Sequence, residues 1–318
     1  MNRYARQTIL PEIGLDGQKK LQTAHVLVVG AGALGVPVLQ YLTGAGVGHI
    51  TVVDPDVIEI SNLHRQPLYR ENQTGQHKAI AAQQAMQKLN STIEIVPILE
   101  WLTPANAPAL VAKADLVLDC ADSHAVSYTL SDICLAARTP LISASALGLE
   151  GYVGGYCGGA PSLRAIFPDP TDASATCATA GVLGPIVGTL GCIQSRMALS
   201  HLLGMTPSPL GQLIRMDAAM RFSQFRFDTA PEIPGPHFIA IEDLRPDDMV
   251  VDLRTSNEAP RPATPDALRM PDYGTIGPLP DANKRAVIAC RSGLRAWRAA
   301  NCLSKRWQGE VALLALYQ

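Results

Sequence analysis

The sequence predicts an α/β protein with a doubly wound, mostly parallel sheet, an antiparallel extension and a second, small α/β domain. In the first half, short β-branched runs alternate with segments whose apolar residues recur at helical spacing, which is typical of βαβ units. After about residue 150 this alternation ends, and a proline-rich segment separates it from a second, shorter α/β pattern. A glycine turn that joins an early strand to a helix indicates the sheet edge at which a ligand would bind.

The predicted strands of the first half lie at residues 25–29, 49–53, 93–97, 115–119 and 140–144. The helical segments between them read LGVPVLQYLTGAG, HKAIAAQQAMQKLN and HAVSYTLSDICLAAR. They are followed by GYVGGYC, an irregular stretch FPDPTDASAT, a long apolar helix and a hairpin that ends near Asp228. We expect residues 1–228 to form one domain.

The segment DTAPEIPGP contains three prolines and no periodicity, so residues 229–236 are predicted to be a linker. Residues 237–318 are predicted to form the second domain. Its strands are expected in MVVDLR, AVIAC and EVALLAL, with a helix from about residue 294 and a proline-rich middle.

Composition excludes several classes of protein. The 318-residue chain is 47% hydrophobic and 17% charged with a formal net charge of −2, so we expect no nucleic acid as a partner. Neither a signal peptide nor a membrane span is predicted. The seven cysteines are scattered without a C-x-x-C pair, which favours reduced thiols and a cytoplasmic location.

The glycine turn is the first candidate site. Gly30, Gly32 and Gly35 follow the strand HVLVV and begin a helix, and Asp54 ends the next strand. Glycines permit a tight turn and close approach of the backbone to a ligand, and the acid can bind ribose hydroxyls. With Ala33 inside the loop, these residues predict a nucleotide site in a Rossmann-like domain. This pattern is most common in NAD-dependent dehydrogenases, so a dehydrogenase is one alternative.

Further runs of residues narrow the function. DPDVIEISNLHRQ (54–66), G-x-x-K ending at Lys78 and DCADS (119–123) follow the glycine loop, and RYARQ (3–7) precedes it. In this order and at this spacing they resemble the MoeB/ThiF family of ubiquitin-activating-type adenylyltransferases, over roughly residues 1–228. The resemblance implies ATP-dependent attachment of AMP to a carboxylate.

This chemistry requires particular side chains. Attack of a carboxylate on the α-phosphate of ATP gathers negative charge, which cations and Mg²⁺ must stabilise. Arg65 and Lys78 are suitable cations, with Asn62 as a polar donor beside them. The resemblance implies that Asp54 binds the ribose and that Asp122 is the carboxylate beside Mg²⁺.

Two more residues take their expected roles from the resemblance. Asp56 belongs to the same nucleotide-binding run as Asp54. Arg6 is expected to reach into the site of a neighbouring subunit, which would require a homodimer.

The sequence departs from the family where most relatives hold a structural zinc ion with two C-x-x-C pairs. Ser162 and Ala165 stand where the first pair would be, and the segment 228–236, where the second pair should lie, contains no cysteine. A structural zinc site needs four ligands, so we expect no zinc.

Cys177 follows the irregular stretch, where sulfur-transferring relatives have a cysteine that links covalently to the carrier. A thiol at a helix N-terminus is a better nucleophile. A small buried residue is the alternative for Cys177, and both interpretations stay open. The five other cysteines of the chain, the cysteine at 290 excepted, are expected to fill the core.

The second candidate site is the loop Cys290-Arg291-Ser292-Gly293-Leu294-Arg295 between a strand and a helix. Backbone N–H groups of such a curl form an anion nest, and the helix N-terminus and the arginines add positive potential. We expect the loop to stabilise a thiolate or a persulfide. It resembles the loop of a rhodanese-type sulfurtransferase, on a domain that is short for that fold.

The sequence therefore predicts adenylation of the C-terminal glycine of a small ubiquitin-like sulfur-carrier protein that ends in Gly-Gly. Sulfur from a persulfide on Cys290, loaded by a donor such as a cysteine desulfurase, would then give a thiocarboxylate. Three alternatives remain besides the dehydrogenase: adenylation with a degenerate rhodanese domain that only docks, adenylation of a peptide or small carboxylate, and a non-catalytic scaffold.

Overall fold

The computed structural model describes residues 3–170, 181–281 and 283–317. Its first sheet has eight strands in the order β3-β2-β1-β4-β5-β6-β7-β8. Five of them are parallel: β1 (His25–Val29), β2 (His49–Val53), β3 (Glu94–Ile98), β4 (Leu116–Asp119) and β5 (Pro140–Leu147). The antiparallel extension consists of β6 (Glu150–Cys157), β7 (Gln212–Met216) and β8 (Phe222–Arg226). The predicted fold class is confirmed.

Helices cover both faces of this sheet. In chain order they are α1 (Ala5–Thr8), α2 (Gly14–Thr23), α3 (Gly35–Ala45), α4 (Lys78–Leu89), α5 (Ala107–Val111), α6 (His124–Ala137), α7 (Leu163–Ile166) and α8 (Gly184–Leu203). Helices α3, α4 and α8 bury apolar side chains in one core cluster, and α5 and α6 bury theirs in another. The strand order reverses between β1 and β4, and ligands of such sheets bind at the carboxyl ends of the strands at this point.

A second sheet follows the proline-rich segment. Its five strands are all parallel, in the order β11-β10-β12-β13-β9. They are β9 (His237–Phe238), β10 (Met249–Asp252), β11 (Leu268–Arg269), β12 (Ala286–Cys290) and β13 (Val311–Ala315), and α9 (Leu294–Leu303) packs on β12 and β13. The two-residue strands β9 and β11 were not expected, because such short runs carry no alternation that a sequence pattern could reveal.

The two sheets share one apolar core. Trp297 of α9 is buried and packs against Tyr128 of α6, with ring centroids 4.5 Å apart, and against Phe238, at 6.0 Å. The Arg164 guanidinium lies over both Tyr128 and Trp297, at 5.1 and 5.0 Å from the ring centroids. It also donates two hydrogen bonds to Asp132, at 2.6 and 2.7 Å. The C-terminal sheet is therefore packed onto α6 rather than tethered by the linker alone.

In the described ranges, no helix has both the length and the apolar character that crossing a membrane requires.

Candidate active site

The glycine loop connects β1 to α3 and requires glycine at two places. Gly30 has φ +98°, and a Cβ there would lie 2.7 Å from the Cys120 carbonyl oxygen. A Cβ on Gly35 would lie 2.0 Å from the carbonyl oxygen of Gly30. The turn can therefore close only without side chains, and it leaves the backbone at Gly32 open to a ligand.

Asp54, at the end of β2, is hydrogen-bonded to this loop. Its Oδ2 accepts from the Ala31 N–H at 2.7 Å and its Oδ1 from the Asp56 N–H at 2.8 Å. Burial raises the pKa of Asp54, and the positive charge of Lys78 opposes that rise. The carboxylate is held beside the loop with lone pairs left for a ligand.

Lys78 is the first residue of α4 and lies close enough to Asp54 for its positive charge to act on that carboxylate. Its Nζ donates to Asp56 Oδ2 at 2.8 Å, and its backbone N–H donates to the Asp56 carbonyl at 2.9 Å. The lysine is buried, whereas the Asp56 side chain is half exposed. When a phosphate binds, the buried Lys78 ammonium can turn from the half-exposed Asp56 carboxylate to a phosphate oxygen. Its positive charge then still has a negative partner.

Asn62 and Arg65 lie on a short turn between these residues. Asn62 is buried, and its Oδ1 accepts from the Glu59 N–H at 3.3 Å, which fixes the turn. Arg65 is half-buried and donates to the Ser61 carbonyl at 3.0 Å. A Cβ on Gly184, the first residue of α8, would lie 2.7 Å from the carbonyl oxygen of His64, so α8 begins directly against this turn.

The DCADS run ends β4 and places two carboxylates differently. Asp122 is exposed in the loop before α6, at the same sheet edge as the glycine loop. Asp119 is fully buried, and its carboxylate accepts from Ser143 Oγ at 2.7 Å and from the Ala121 N–H at 3.2 Å. Burial raises the pKa of Asp119 to about 6.

Arg6 is not near this site in its own chain. It is exposed on α1. Arg3, just before this helix, donates to the Leu89 carbonyl at 2.7 Å, and Gln7 of α1 donates to the Ala45 carbonyl at 3.0 Å. These carbonyls lie at the C-terminal ends of α4 and α3, whose N-terminal ends carry the site. An 11-residue helix spans about 16 Å, so α1 lies at the far end of both helices.

The Cys290 loop holds its sulfur among backbone amides. The Cys290 side chain is fully buried, and Sγ accepts from the N–H groups of Gly293 at 3.1 Å and Ala296 at 3.4 Å. Gly293 has φ +84°, which returns the chain toward the sulfur. Arg295 donates to the Glu258 carboxylate at 2.7 and 3.0 Å.

The other loop residues differ in exposure. Arg291 and Ser292 are exposed, and Leu294 is half-buried.

The Cys290 loop, called the sulfur loop below, lies next to the residues that follow the Asp122 loop. A Cβ on Gly293 would lie 2.5 Å from the Phe238 ring and 3.1 Å from the Cβ of Ala125. Ala125 belongs to the first turn of α6, three residues after Asp122. The sulfur loop is therefore covered by the residues that follow the Asp122 loop.

Comparison with known proteins identifies the first half. The sequence profile of the ThiF family matches residues 4–233. The chain belongs to the ThiF family. It is 48% identical over 221 residues to the bovine adenylyltransferase and sulfurtransferase MOCS3, covering 69% of this chain and 49% of that relative. It is 40% identical over 227 residues to the Yarrowia lipolytica adenylyltransferase and sulfurtransferase UBA4, covering 70% and 57%.

The ThiF-family chain spans about half the length of the curated relatives that it matches. Among solved structures, Escherichia coli MccB with ATP has a TM-score of 0.63 and 21% identity, and the match covers 71% of this chain and 72% of that chain. At this identity the likeness shows the fold alone.

The two segments that lack the cysteine pairs are joined by hydrogen bonds. Glu232, in the proline-rich segment, accepts hydrogen bonds from both the backbone N–H of Ser162, at 2.7 Å, and its Oγ. Ala165 lies within α7. No group of three His, Cys, Asp or Glu residues in the described parts of this ThiF-family chain could hold a metal ion. Cys177 lies outside the described residues.

Sequence reasoning missed three residues of the site: Asp119, Gln66 and Gln194. Gln194 of α8 donates to the carbonyls of Asp119 at 2.8 Å and Ile142 at 2.9 Å. A glutamine inside an apolar helix was the one signal that pointed to a buried polar contact for Gln194. Gln66 is the last residue of the run DPDVIEISNLHRQ, and its position there gives it no separate role.

Proposed function

We propose that this chain adenylates the C-terminal glycine of a small ubiquitin-like sulfur-carrier protein with Mg-ATP and then replaces the AMP by sulfur from Cys290. The observation that carries the proposal is the contact between the sulfur loop, at Gly293, and Ala125, three residues beyond Asp122. The names of the relatives, adenylyltransferase and sulfurtransferase, support it. One chain would then perform both steps at adjoining loops.

In the first step the carrier carboxylate attacks the α-phosphate of ATP, and pyrophosphate leaves. Lys78 and Arg65 would stabilise the negative charge on the phosphates, and Asp54 would bind the ribose. The exposed carboxylate of Asp122 fits Mg²⁺, which prefers oxygen ligands. When bound, Mg²⁺ would neutralise phosphate charge.

In the second step the terminal sulfur of the Cys290 persulfide attacks the acyl carbon, and AMP leaves with the bonding electron pair. The product is an acyl disulfide between the carrier and Cys290. The thiolate of a small external thiol then attacks the Cys290 sulfur and releases the thiocarboxylate. The resulting disulfide is reduced by external thiol. In the alternative route Cys177 first displaces AMP to form a thioester with the carrier, and the persulfide then attacks that thioester and releases the Cys177 thiolate.

The proposal includes three further parts. A persulfide donor such as a cysteine desulfurase would load Cys290. A homodimer would bring Arg6 into the neighbouring site, because α1 is held away from the site of its own chain. A cytoplasmic location fits the six described cysteines, all of which are free thiols.

The test is the intact mass of a carrier ending in Gly-Gly after incubation with the chain, Mg-ATP and a persulfide donor. We expect the mass gain of an oxygen-to-sulfur exchange with wild type, and no gain with Cys290→Ala. Cys302→Ala is the matched control, since Cys302 is also a thiol of the second domain and lies outside the loop.

Two results would contradict parts of the proposal. An adenylated carrier without sulfur exchange would leave a C-terminal domain that only docks. Binding of NADH without adenylation would favour the dehydrogenase.

A further inference from the structure

Two aromatic rings join the two sheets beside the sulfur loop. Trp101, from the segment after β3, and Tyr317, from the segment after β13, are stacked with ring centroids 4.8 Å apart and an angle of 7° between the ring planes. Both lie just beyond the carboxyl end of a parallel strand, so the carboxyl edges of the two sheets meet at this contact. We call the pair the aromatic stack.

Tyr317 is attached to the first residues of the sulfur loop. Its backbone N–H donates to the Arg291 carbonyl at 2.9 Å, and the Leu316 N–H donates to the Cys290 carbonyl at 3.1 Å. Burial raises the pKa of Tyr317 to about 12, so its phenol stays neutral at the pH of the cell. A shift of Tyr317 would therefore move the backbone that carries the Cys290 thiol.

Trp101 is attached to the nucleotide edge of the first sheet. Three residues before it, the carbonyl of Ile98 at the end of β3 accepts from the Asp54 N–H at 3.0 Å. The Trp101 carbonyl accepts from Asn106 Nδ2 at 2.8 Å, which fixes this segment. The aromatic stack thus connects the sheet edge at Asp54 with the loop that carries Cys290.

The docking of the two sheets does not depend on the aromatic stack alone. Trp101 is 43% exposed, whereas Trp297 of α9 is buried against Tyr128 of α6 and already joins the sheets. A stacked pair of rings has a preferred offset and separation, so it restrains tilting and sliding of the segments that carry the rings. What the stack adds to the docking is the orientation of the sulfur loop.

We propose that the aromatic stack positions the Cys290 loop against the acyl-adenylate for the second step of the reaction. The persulfide sulfur must reach the acyl carbon before water does, because attack by water would release AMP and restore the carrier carboxylate. A misplacement of about 1 Å can slow such a transfer on the order of 100-fold. The inference rests on the proposed function and adds Trp101 and Tyr317 as positioning residues for sulfur transfer.

The experiment is a single turnover of the full chain, whose Cys290 is loaded beforehand by incubation with polysulfide and quantified by peptide mass. The loaded chain is mixed with Mg-ATP and a ubiquitin-like carrier that ends in Gly-Gly. Intact mass measures the thiocarboxylate formed, and chromatography measures the AMP released. Their ratio reports the fraction of acyl-adenylate that water attacks.

Tyr317→Leu removes one ring of the stack. We expect it to raise the AMP released per thiocarboxylate about 5-fold or more, which corresponds to the loss of one stacked pair. Exchange of pyrophosphate into ATP, which reports the first step alone, should stay within about 2-fold of wild type. Trp101→Leu removes the other ring and should raise the ratio equally, and the double variant should be no worse than either single one.

Two control variants separate positioning from general effects on the domain. Tyr317→Phe keeps the ring and should keep the wild-type ratio. Trp307→Leu removes a half-buried aromatic side chain of the same domain, beyond the C-terminal end of α9, whereas the sulfur loop precedes the N-terminal end. It should also leave the ratio unchanged.

An unchanged ratio in Tyr317→Leu or in Trp101→Leu, or an equal rise in Trp307→Leu, would overturn the inference. Loss of pyrophosphate exchange in Tyr317→Leu would also overturn it, because the stack would then serve the first step. Wild type that exchanges pyrophosphate but forms no thiocarboxylate would overturn the second step of the proposed function together with the inference. Wild type without exchange would overturn the proposed function at its first step.

Discussion

Two carboxylates of the DCADS run, Asp119 and Asp122, lie three residues apart in opposite environments. Asp122 is exposed and free to take a cation, whereas Asp119 is buried under Ser143 at the end of β4. Burial raises the pKa of Asp119. Asp119 therefore makes the stability of the end of β4, next to Asp122, depend on pH.

Asp119→Asn should remove this pH dependence. Because burial raises the pKa of Asp119 from 3.8 to about 6, the folded chain favours the protonated acid. Its stabilising contribution is complete below the unfolded pKa and is lost as the pH rises through about 6. Between pH 4.5 and 7.5 the free energy of unfolding of wild type should fall by about 2 kcal/mol relative to the variant. Urea unfolding at several pH values measures this, and parallel curves for the two proteins would contradict it.

At the scale of single residues, the sequence identified residues that belong to spaced motifs. It missed residues whose role depends on the groups that they contact in the fold. Asp54 and Lys78 belong to runs whose spacing predicts a role, and the structure places them beside the loop. Gln66 and Gln194 have no such spacing. Their importance depends on which backbone groups lie opposite in the fold, at Gly32 and Asp119, and no local pattern records that.

At the scale of elements, α1 is separated from the site by the length of α3. The four-residue helix is held by Tyr4, whose hydroxyl accepts from Asn90 Nδ2 at 2.9 Å, and it leaves Arg6 exposed. Because α1 is firmly attached at the far end of α3, the exposed Arg6 can contact only groups outside its own chain. This supports the role in a neighbouring subunit that the resemblance implies.

Mixed dimers test this arrangement. Dimers of Arg6→Ala alone and of Lys78→Ala alone should both fail to adenylate the carrier. A mixed dimer, purified through two different tags, should regain about half of the wild-type rate, since one of its two sites combines an intact Lys78 with an intact Arg6. A mixed dimer of Lys78→Ala with wild type calibrates the assay at the same value. Recovery absent from the first mixture but present in the second would place Arg6 outside the partner's site.

Elements with regular periodicity were predicted well, and irregular ones were not. The predicted strand at residues 93–97 is β3, displaced by one residue, and the helix predicted from about 294 is α9. In the proline-rich middle, however, residues 268–269 form β11, which pairs with β10 through two residues only. Pairing of that length is decided by the neighbouring strand, so the local sequence does not reveal it.

At the scale of the whole molecule, the docking of the second sheet decides whether Cys290 can be reached. Phe238 and Ala125 cover the loop at Gly293, and the thiol is fully buried. Loading and transfer of sulfur both need access to that thiol. The proposed reaction therefore requires the cover to open, at least locally, during each cycle.

Phe238→Ala should expose Cys290 to chemical labelling. Removing a buried phenylalanine contact weakens the cover by about 1.5–3 kcal/mol, so alkylation of Cys290 by iodoacetamide should accelerate about 10-fold or more. Rates are measured by mass spectrometry of the peptide, with half-exposed Cys302 as the internal reference. Phe222→Ala, on the exposed strand β8, is the control and should leave the rate unchanged. Equal rates in wild type and Phe238→Ala would show that Phe238 is not the cover.

The tie between Ser162 and Glu232 has a consequence for how the protein is made. The two residues are 70 positions apart, and their contact consists only of a carboxylate, a hydroxyl and a backbone amide. Such a join is complete as soon as the chain has folded, without delivery of an ion by the cell. The strength of this join should therefore follow the acidity and the salt concentration of the surroundings.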